Sequence, residues 1–229
     1  MKKNFTMNPA GFAMMAMAAM ISLTSCNKED QLSDSIFAPV SWAPNSSEIT
    51  IFPGEAAKIY GTVTYSDGSV DNNFEAANIN AESDEVVWTY GGWQMVGLAP
   101  GTGTVTANVR MSGPWSGQKV FYQDVKVNVV NPEKPVVALE ISPAEATIRP
   151  GETVSFKFYA VYADSRREIS PVVCRFKVTD DGDQHVSCTF SGKDAYVNAS
   201  QGSGETLVTA TYLENGVIVS ATSVIKSVE

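Results

Sequence analysis

Beyond the first 25 residues, apolar side chains in this chain recur at every second position. Val63 and Tyr65 do so, as do Val125, Val127 and Val129, and Phe156, Phe158 and Ala160. A period of two places these residues on one face of an extended strand and the intervening ones on the other. No twelve-residue window in this part of the chain repeats its apolar positions at the 3.6 spacing of a helix. Turn-formers punctuate the runs: Pro53-Gly54, Pro150-Gly151, Ser66-Asp67-Gly68-Ser69 and Asp180-Asp181-Gly182-Asp183. Proline presets the first central torsion of a turn, glycine accepts positive φ, and Asp and Ser side chains bond their own backbone. Short strands separated by such turns predict an all-β chain built as β-sandwiches.

The pattern occurs twice. "ITIFPGEAAKIYGTVTYSDGS" (49–69) returns as "ATIRPGETVSFKFYAVYADSR" (146–166). An offset of 97 brings Ile51, Pro53, Gly54, Glu55, Tyr65 and Asp67 onto Ile148, Pro150, Gly151, Glu152, Tyr162 and Asp164. Further on, Thr89, Gly92 and Ala99 meet Thr189, Gly192 and Ala199 at an offset of 100, a drift that loop insertions produce. Between the copies, "NPEKP" (131–135) has two prolines and no large apolar side chain, the composition of a short linker. The expected organisation is a first domain over 47–131, a linker over 132–135 and a second domain over 136–229, each long enough for a modest core.

The stretches "LEISPAEATIRPGETVSFKFYAVYADS" and "LAPGTGTVTANV" resemble bacterial immunoglobulin-like domains of the group-2 type. The resemblance implies two tandem immunoglobulin-like β-sandwiches. It also implies a tryptophan on a middle strand, a place that Trp88 takes in the first copy and Cys188 in the second.

The first 46 residues read differently. Lys2 and Lys3 precede an uncharged apolar run over 11–23, followed by Leu23-Thr24-Ser25-Cys26. A basic start and a short apolar core describe a secretory signal, too short for a lasting transmembrane helix. The tetrapeptide resembles the lipobox of bacterial lipoproteins. That resemblance implies removal of residues 1–25 and acylation of Cys26, with residues 26–46 as a lipidated tether and the outer membrane as the site of attachment. Several acyl chains exceed the single chain that gives only marginal binding. Asn27-Lys28-Glu29-Asp30 resembles the surface-export signal of Bacteroidota lipoproteins, and Asp34-Ser35-Ile36 resembles that phylum's O-glycosylation pattern, with Ser35 as acceptor. Together these imply a cell-surface location.

Charge narrows the partners. Of 16 basic side chains, Lys2 and Lys3 leave with the leader, so 14 face 25 acidic ones, a net charge of −11. Nucleic-acid binding depends on clustered Lys and Arg, and Arg166-Arg167 is the only basic pair that remains. No nucleic-acid partner is expected.

Candidate chemistry is sparse. One histidine, His185, excludes His-His metal motifs, and neither a G-x-S-x-G elbow nor a phosphate-cradling G-x-x-x-x-G-K-[ST] loop occurs. The expectation is a non-catalytic chain with no cofactor and no metal. The acids of "DGSVDNN" (67–73) lack the bidentate ligand a calcium loop needs and read as turn chemistry. Cys174 and Cys188 sum to 362 about a hairpin centred on Asp181, which would place them opposite each other and within reach of a disulfide. The alternative is a pair of small buried side chains. The aromatic cluster "WTYGGWQMV" (88–96) and Trp115 in "SGPWSGQKVFYQ" carry the strongest binding signal. Trp88 is expected to fill the core, with Tyr90 on its face, Trp93 freer beyond the glycines and Trp115 exposed beside Pro114. Exposed Trp and Tyr rings suit half-wet ligand sites, so Tyr90, Trp93 and Trp115 are the candidate binding residues.

Two functions follow. One is a structural or adhesive surface lipoprotein that binds a protein partner. The other is a surface glycan-binding protein of a polysaccharide-utilisation system. Fold alone does not separate them.

Overall fold

A computed structural model describes residues 37–113, 115, 117–180, 186–191, 194–200 and 202–229. The expected leader, Cys26, Ser35 and residues 181–185, where a turn was expected, lie outside the described residues.

Among the described residues, the first domain has ten strands. They are β1 (Pro39–Pro44), β2 (Glu48–Ile51), β3 (Ala56–Ala57), β4 (Tyr60–Tyr65) and β5 (Val70–Glu75), then β6 (Asn78–Ala81), β7 (Val87–Tyr90), β8 (Gln94–Gly97), β9 (Gly101–Met111) and β10 (Lys119–Val129). The second domain repeats the set. Its first half is β11 (Ala138–Ser142), β12 (Glu145–Ile148), β13 (Thr153–Ser155), β14 (Lys157–Val161) and β15 (Arg166–Ile169). A single 3-10 turn, Pro171–Val173, leads to β16 (Cys174–Asp180), β17 (Val186–Ser191), β18 (Asp194–Ala199), β19 (Gly204–Glu214) and β20 (Val217–Ser227).

The two domains share one topology. β2-β10-β9-β6 and β12-β20-β19-β16 are four-stranded sheets, and each faces two three-stranded ones: β1-β4-β5 and β3-β8-β7, or β11-β14-β15 and β13-β18-β17. β10 runs parallel to β2 and antiparallel to β9, and β20 does the same with β12 and β19. These are two tandem immunoglobulin-like β-sandwiches. The period-two residues line their interiors. Val105, Ala107, Val109, Val125, Val127 and Val129 of the larger sheet meet Val63, Val87 and Met95 of the smaller ones. In the second domain Phe158 meets the edge of Phe176 at 5.3 Å, and Phe176 stacks on Phe190 at 4.1 Å.

Residues 39–44, expected to belong to the tether, form β1 and pair with β4. Trp42 opposes Val63 there and is 1% exposed, so it is the tryptophan that fills the first core. Its indole takes the space in front of Gly61, where a Cβ would collide with the ring. The second domain distributes the same volume differently: Leu139 opposes Ala160, and Phe158 stands at the position of Gly61. A large residue against a glycine in one copy, and a medium one beside a phenylalanine in the other, fill equivalent space.

Trp88 does not enter the core. Val87 and Met95 point inward, while Trp88 and Tyr90 share the outward face of β7. By strand register Trp88 corresponds to Ser187, not Cys188, since Val87 pairs with Gly97 as Val186 pairs with Ala199. The sequence alignment was one residue out on this strand, and a one-residue slip moves every side chain to the other face.

Candidate functional site

The site lies where the two sandwiches meet, and it begins with a turn. At Pro53-Gly54-Glu55 the Gly54 φ is +77°, Glu55 N–H donates to the Phe52 carbonyl at 3.0 Å, and Phe52 N–H donates to the Glu55 carboxylate at 2.9 Å. Local bonds of this kind fix the turn before it meets anything else. They push the Pro53 and Gly54 carbonyls towards the second domain. Ser170 N–H donates to the Gly54 carbonyl at 2.8 Å, and Arg167 donates from Nη2 to the Pro53 carbonyl at 3.2 Å. The glycine is also a packing requirement, because a Cβ on it would lie 2.9 Å from Ile169 Cβ and 3.0 Å from Val173 Cγ2.

Under Pro53 sits a buried polar cluster. Glu214 is 3% exposed and continues the inward face that Val208, Ala210 and Tyr212 occupy. It accepts from Tyr212 Oη at 2.7 Å, from Tyr162 Oη at 3.0 Å and from Arg167 Nη2 at 3.0 Å. Tyr162 completes the chain, accepting from Arg167 at 2.7 Å while donating to Glu214. The Arg167 guanidinium also lies over the Phe52 ring at 4.7 Å. Arg167 Nε is buried with no partner among the described residues. Burial pushes the Tyr162 phenol up to about 12, aided by the Glu214 charge and opposed by Arg167. Tyr212 is raised too, by burial first and then by its bond to Glu214. Both rings stay protonated at neutral pH and act as donors to the carboxylate.

Beside this clamp runs an open groove of about 560 Å³. Glu55, Ala56, Tyr90, Gln94 and Val96 form its first-domain wall, and Lys157, Glu168 and Ser170 are among the residues of the other. The Trp88 and Tyr90 rings stand 5.5 Å apart and tilted by 36° on the outward face of β7. Of the expected aromatic residues, Tyr90 lines this groove. Trp93 is 41% exposed at the β7–β8 turn, where Gly91 and Gly92 have φ of +59° and +75°.

Trp115 is a correction. It was expected to be exposed, yet it is half-buried and packs against the first-domain core, and its Nε1 is buried without a partner among the described residues. The β9–β10 connection folds the ring back onto the sandwich, where it covers apolar surface instead of offering it. In the second domain the same connection is the two-residue turn Asn215-Gly216, with φ of +51° and +79°, the signature of a tight hairpin.

The hairpin that would bring Cys174 and Cys188 together does not form. β16 pairs with β19, where Cys174 opposes Tyr212, and β17 pairs with β18, where Cys188 opposes Val197. The chain between them crosses from one sheet to the other. Both thiols are free and packed against the core, and burial pushes Cys174 up to about 12 and raises Cys188 as well. The Asp67 carboxylate accepts from Ser69 N–H at 2.9 Å and from its hydroxyl at 2.6 Å, which holds its pKa below the usual range.

The sequence reading missed Glu214, Tyr162, Tyr212 and Arg167 as a set. The available signal was the period of β19, which puts an acid at an inward position after Val208, Ala210 and Tyr212. A polar residue on a buried face is more informative than an apolar one on a surface.

No family model and no curated protein matches the chain. Several solved structures resemble it. Domains 5–6 of the S-layer protein SbsC are 20% identical over 84% of this chain and 99% of that one, with a TM-score of 0.29. A chimeric titin Z1Z2 is 14% identical over 83% and 97%, with a TM-score of 0.30. Mouse protocadherin-24 EC1-3 is 10% identical over 83% and 70%, with a TM-score of 0.30. The strand pairing, not these likenesses, carries the fold assignment.

Proposed function

We propose that the chain is a non-catalytic surface lipoprotein, a structural or adhesive module whose two sandwiches are locked end to end to hold a protein-binding face away from the membrane. The observation that supports this most is the clamp on Pro53. Burying Glu214 beside Arg167 costs desolvation that is offset only while every partner is in place, so such a cluster favours one domain arrangement over a hinge. A freely jointed linker would have no use for it. Attachment through acylated Cys26 to the outer membrane, facing the cell exterior, rests on the lipobox-like Leu23-Thr24-Ser25-Cys26 and the acidic residues that follow. The partner would meet exposed edges and hairpins, as is usual for immunoglobulin-like sandwiches. Leu213 and Ile218 form one such place: they face each other across β19 and β20 and are 58% and 67% exposed.

Labelling of intact cells with an antibody to the second domain tests the display. Wild type should label without permeabilisation, and Cys26→Ser should lose the signal from the cell surface. Equal labelling of both would overturn the anchor, and labelling only after permeabilisation would overturn the outward face.

A further inference from the structure

The repeat supplies its own control for the groove. By strand register, the second-domain counterparts of Trp88 and Tyr90 are Ser187 and Thr189, and the counterpart of Val96 is Asn198. The same pair of strands therefore folds with small polar residues in these positions. Pairing of these strands does not itself demand two aromatic rings on the outward face of β7. In the first domain the half-buried rings share that face with Val96, which is 2% exposed, and Tyr90 also lines the groove, a placement that calls for a further cause.

What Tyr90 faces across the groove mixes apolar and polar side chains, and the charges among them are balanced. Gln94 pairs across the hairpin with Tyr90 and projects on the same side. Glu55 keeps one carboxylate oxygen on Phe52 N–H and has a second beside it. Across the groove, Lys157 and Glu168 are ion-paired at 3.2 Å. This wall offers donors and acceptors with little net field, within a chain of net charge −9. An anionic ligand would meet no excess cation, and a cationic one would meet an acid already paired. A protein hot spot would require a dry apolar centre, whereas on the facing wall Phe156, Phe158, Ile169 and Pro171 are interleaved with the hydrogen-bonding groups of Lys157, Glu168 and Ser170.

We infer that the groove between the domains binds a neutral oligosaccharide, with a sugar ring laid on Tyr90 beside Trp88 and its hydroxyls bonded to Gln94, Glu55, Lys157 and Glu168. The C–H face of a pyranose meets the π surface, while its equatorial hydroxyls reach the rim, the division of labour for which half-wet aromatic rings suit. The volume of about 560 Å³ lies within the range of small-molecule sites. The inference rests on the fixed domain arrangement proposed above, because the two walls belong to different domains.

The test titrates the purified full chain with hexasaccharides of neutral glucan, mannan, xylan and galactan, with oligogalacturonate as the anionic control. Tryptophan fluorescence and amide chemical shifts are the readouts. At least one neutral probe should bind saturably and shift amides over 88–96 and 156–169. Tyr90→Ala should weaken that binding roughly tenfold or more, Gln94→Ala less, and Tyr90→Phe little, since the ring face remains. Thr189→Ala, at the counterpart position, should change nothing. Failure of every neutral probe to bind, preference for oligogalacturonate, or binding unaffected by Tyr90→Ala and Gln94→Ala together would each overturn the inference. If amide couplings show the domains fixed and no probe binds, the glycan site falls and the module reading stands. If the domains move independently, both fall.

Discussion

Pro53-Gly54-Glu55 and Pro150-Gly151-Glu152 fold into the same turn and meet different fates. Gly54 and Gly151 have φ of +77° and +83°, and Glu55 and Glu152 each accept a backbone N–H from three residues earlier, at 2.9 and 2.8 Å. Each glycine N–H also donates to the far end of its hairpin, Gly54 to the Gly97 carbonyl at 2.7 Å and Gly151 to that of Ala199 at 3.2 Å. Yet Pro53 and Gly54 are buried in the joint, while Pro150 and Gly151 face solvent. A Cβ on Gly151 would meet nothing within 4 Å. The residue before the proline differs as well. Phe52 lies under Arg167, and Arg149 takes its place in the second copy. Another arginine there could not stack under a guanidinium without repulsion. The turn is thus a property of the repeat, and the joint is a property of what surrounds it.

The largest effect expected from separating the copies lies in their cores. Trp42→Ala should destabilise the first domain by about 3–5 kcal/mol, as removal of a buried aromatic does. Trp88→Ala, on the outward face whose counterpart is Ser187, should cost about 1 kcal/mol or less, within the range of surface changes. Chemical denaturation of both variants checks this. A larger loss at Trp88 than at Trp42 would reverse the assignment of the core tryptophan.

The paired glycines sharpen the comparison further. Gly151→Ala should cost about 1–2 kcal/mol, the strain of an L-residue at positive φ in open space. Gly54→Ala carries the same strain plus overpacking against Ile169 and Val173, which adds about 1–3 kcal/mol or opens the joint. Equal losses measured by thermal melts would mean that the Gly54 contact contributes nothing.

A smaller effect is expected from alkali. Tyr162 and Tyr212 have folded pKa values raised above the ordinary phenol value of 10.0. A raised folded pKa means stability fully present below pH 10 and lost as pH climbs through the folded value, about 12 for Tyr162. Stability should therefore decline between about pH 10 and 12, and Tyr162→Phe together with Tyr212→Phe should flatten that decline. Absorbance titration at the tyrosinate band, followed beside the melt, reports the ionisation of these phenols by its loss in the double variant. A wild-type profile already flat to pH 12 would contradict the burial of the phenols.

The fold was legible because strand alternation and turn residues act locally. Val125, Val127 and Val129, and Phe156, Phe158 and Ala160, announce their faces without reference to the rest of the chain. Trp42 was hidden because its pairing partner, Val63, lies 21 residues on, and because its short strand, bounded by Pro39 and Pro44, closely follows the polar run over 27–35. The face of Trp88 turned on a register that only the partner strand β8 fixes. The site was hardest to read, since Phe52, Arg167 and Glu214 come from three distant parts of the chain and two domains. Only the inward position of Glu214 within the β19 alternation hinted that a buried acid needed partners.

The central claim is that Arg167 and Tyr212, which donate to the Pro53 carbonyl at 3.2 and 3.3 Å and are held by Glu214 and Tyr162, keep the domains in one arrangement. Residual dipolar couplings of backbone amides test it most directly, because each domain reports its own alignment. The wild-type full chain should fit a single alignment tensor for both sandwiches. Glu214→Ala, which strands Arg167 without its carboxylate, should give two tensors of unequal magnitude while each domain keeps its own amide pattern. Two independent tensors in the wild type, or one unchanged tensor in Glu214→Ala, would contradict the account.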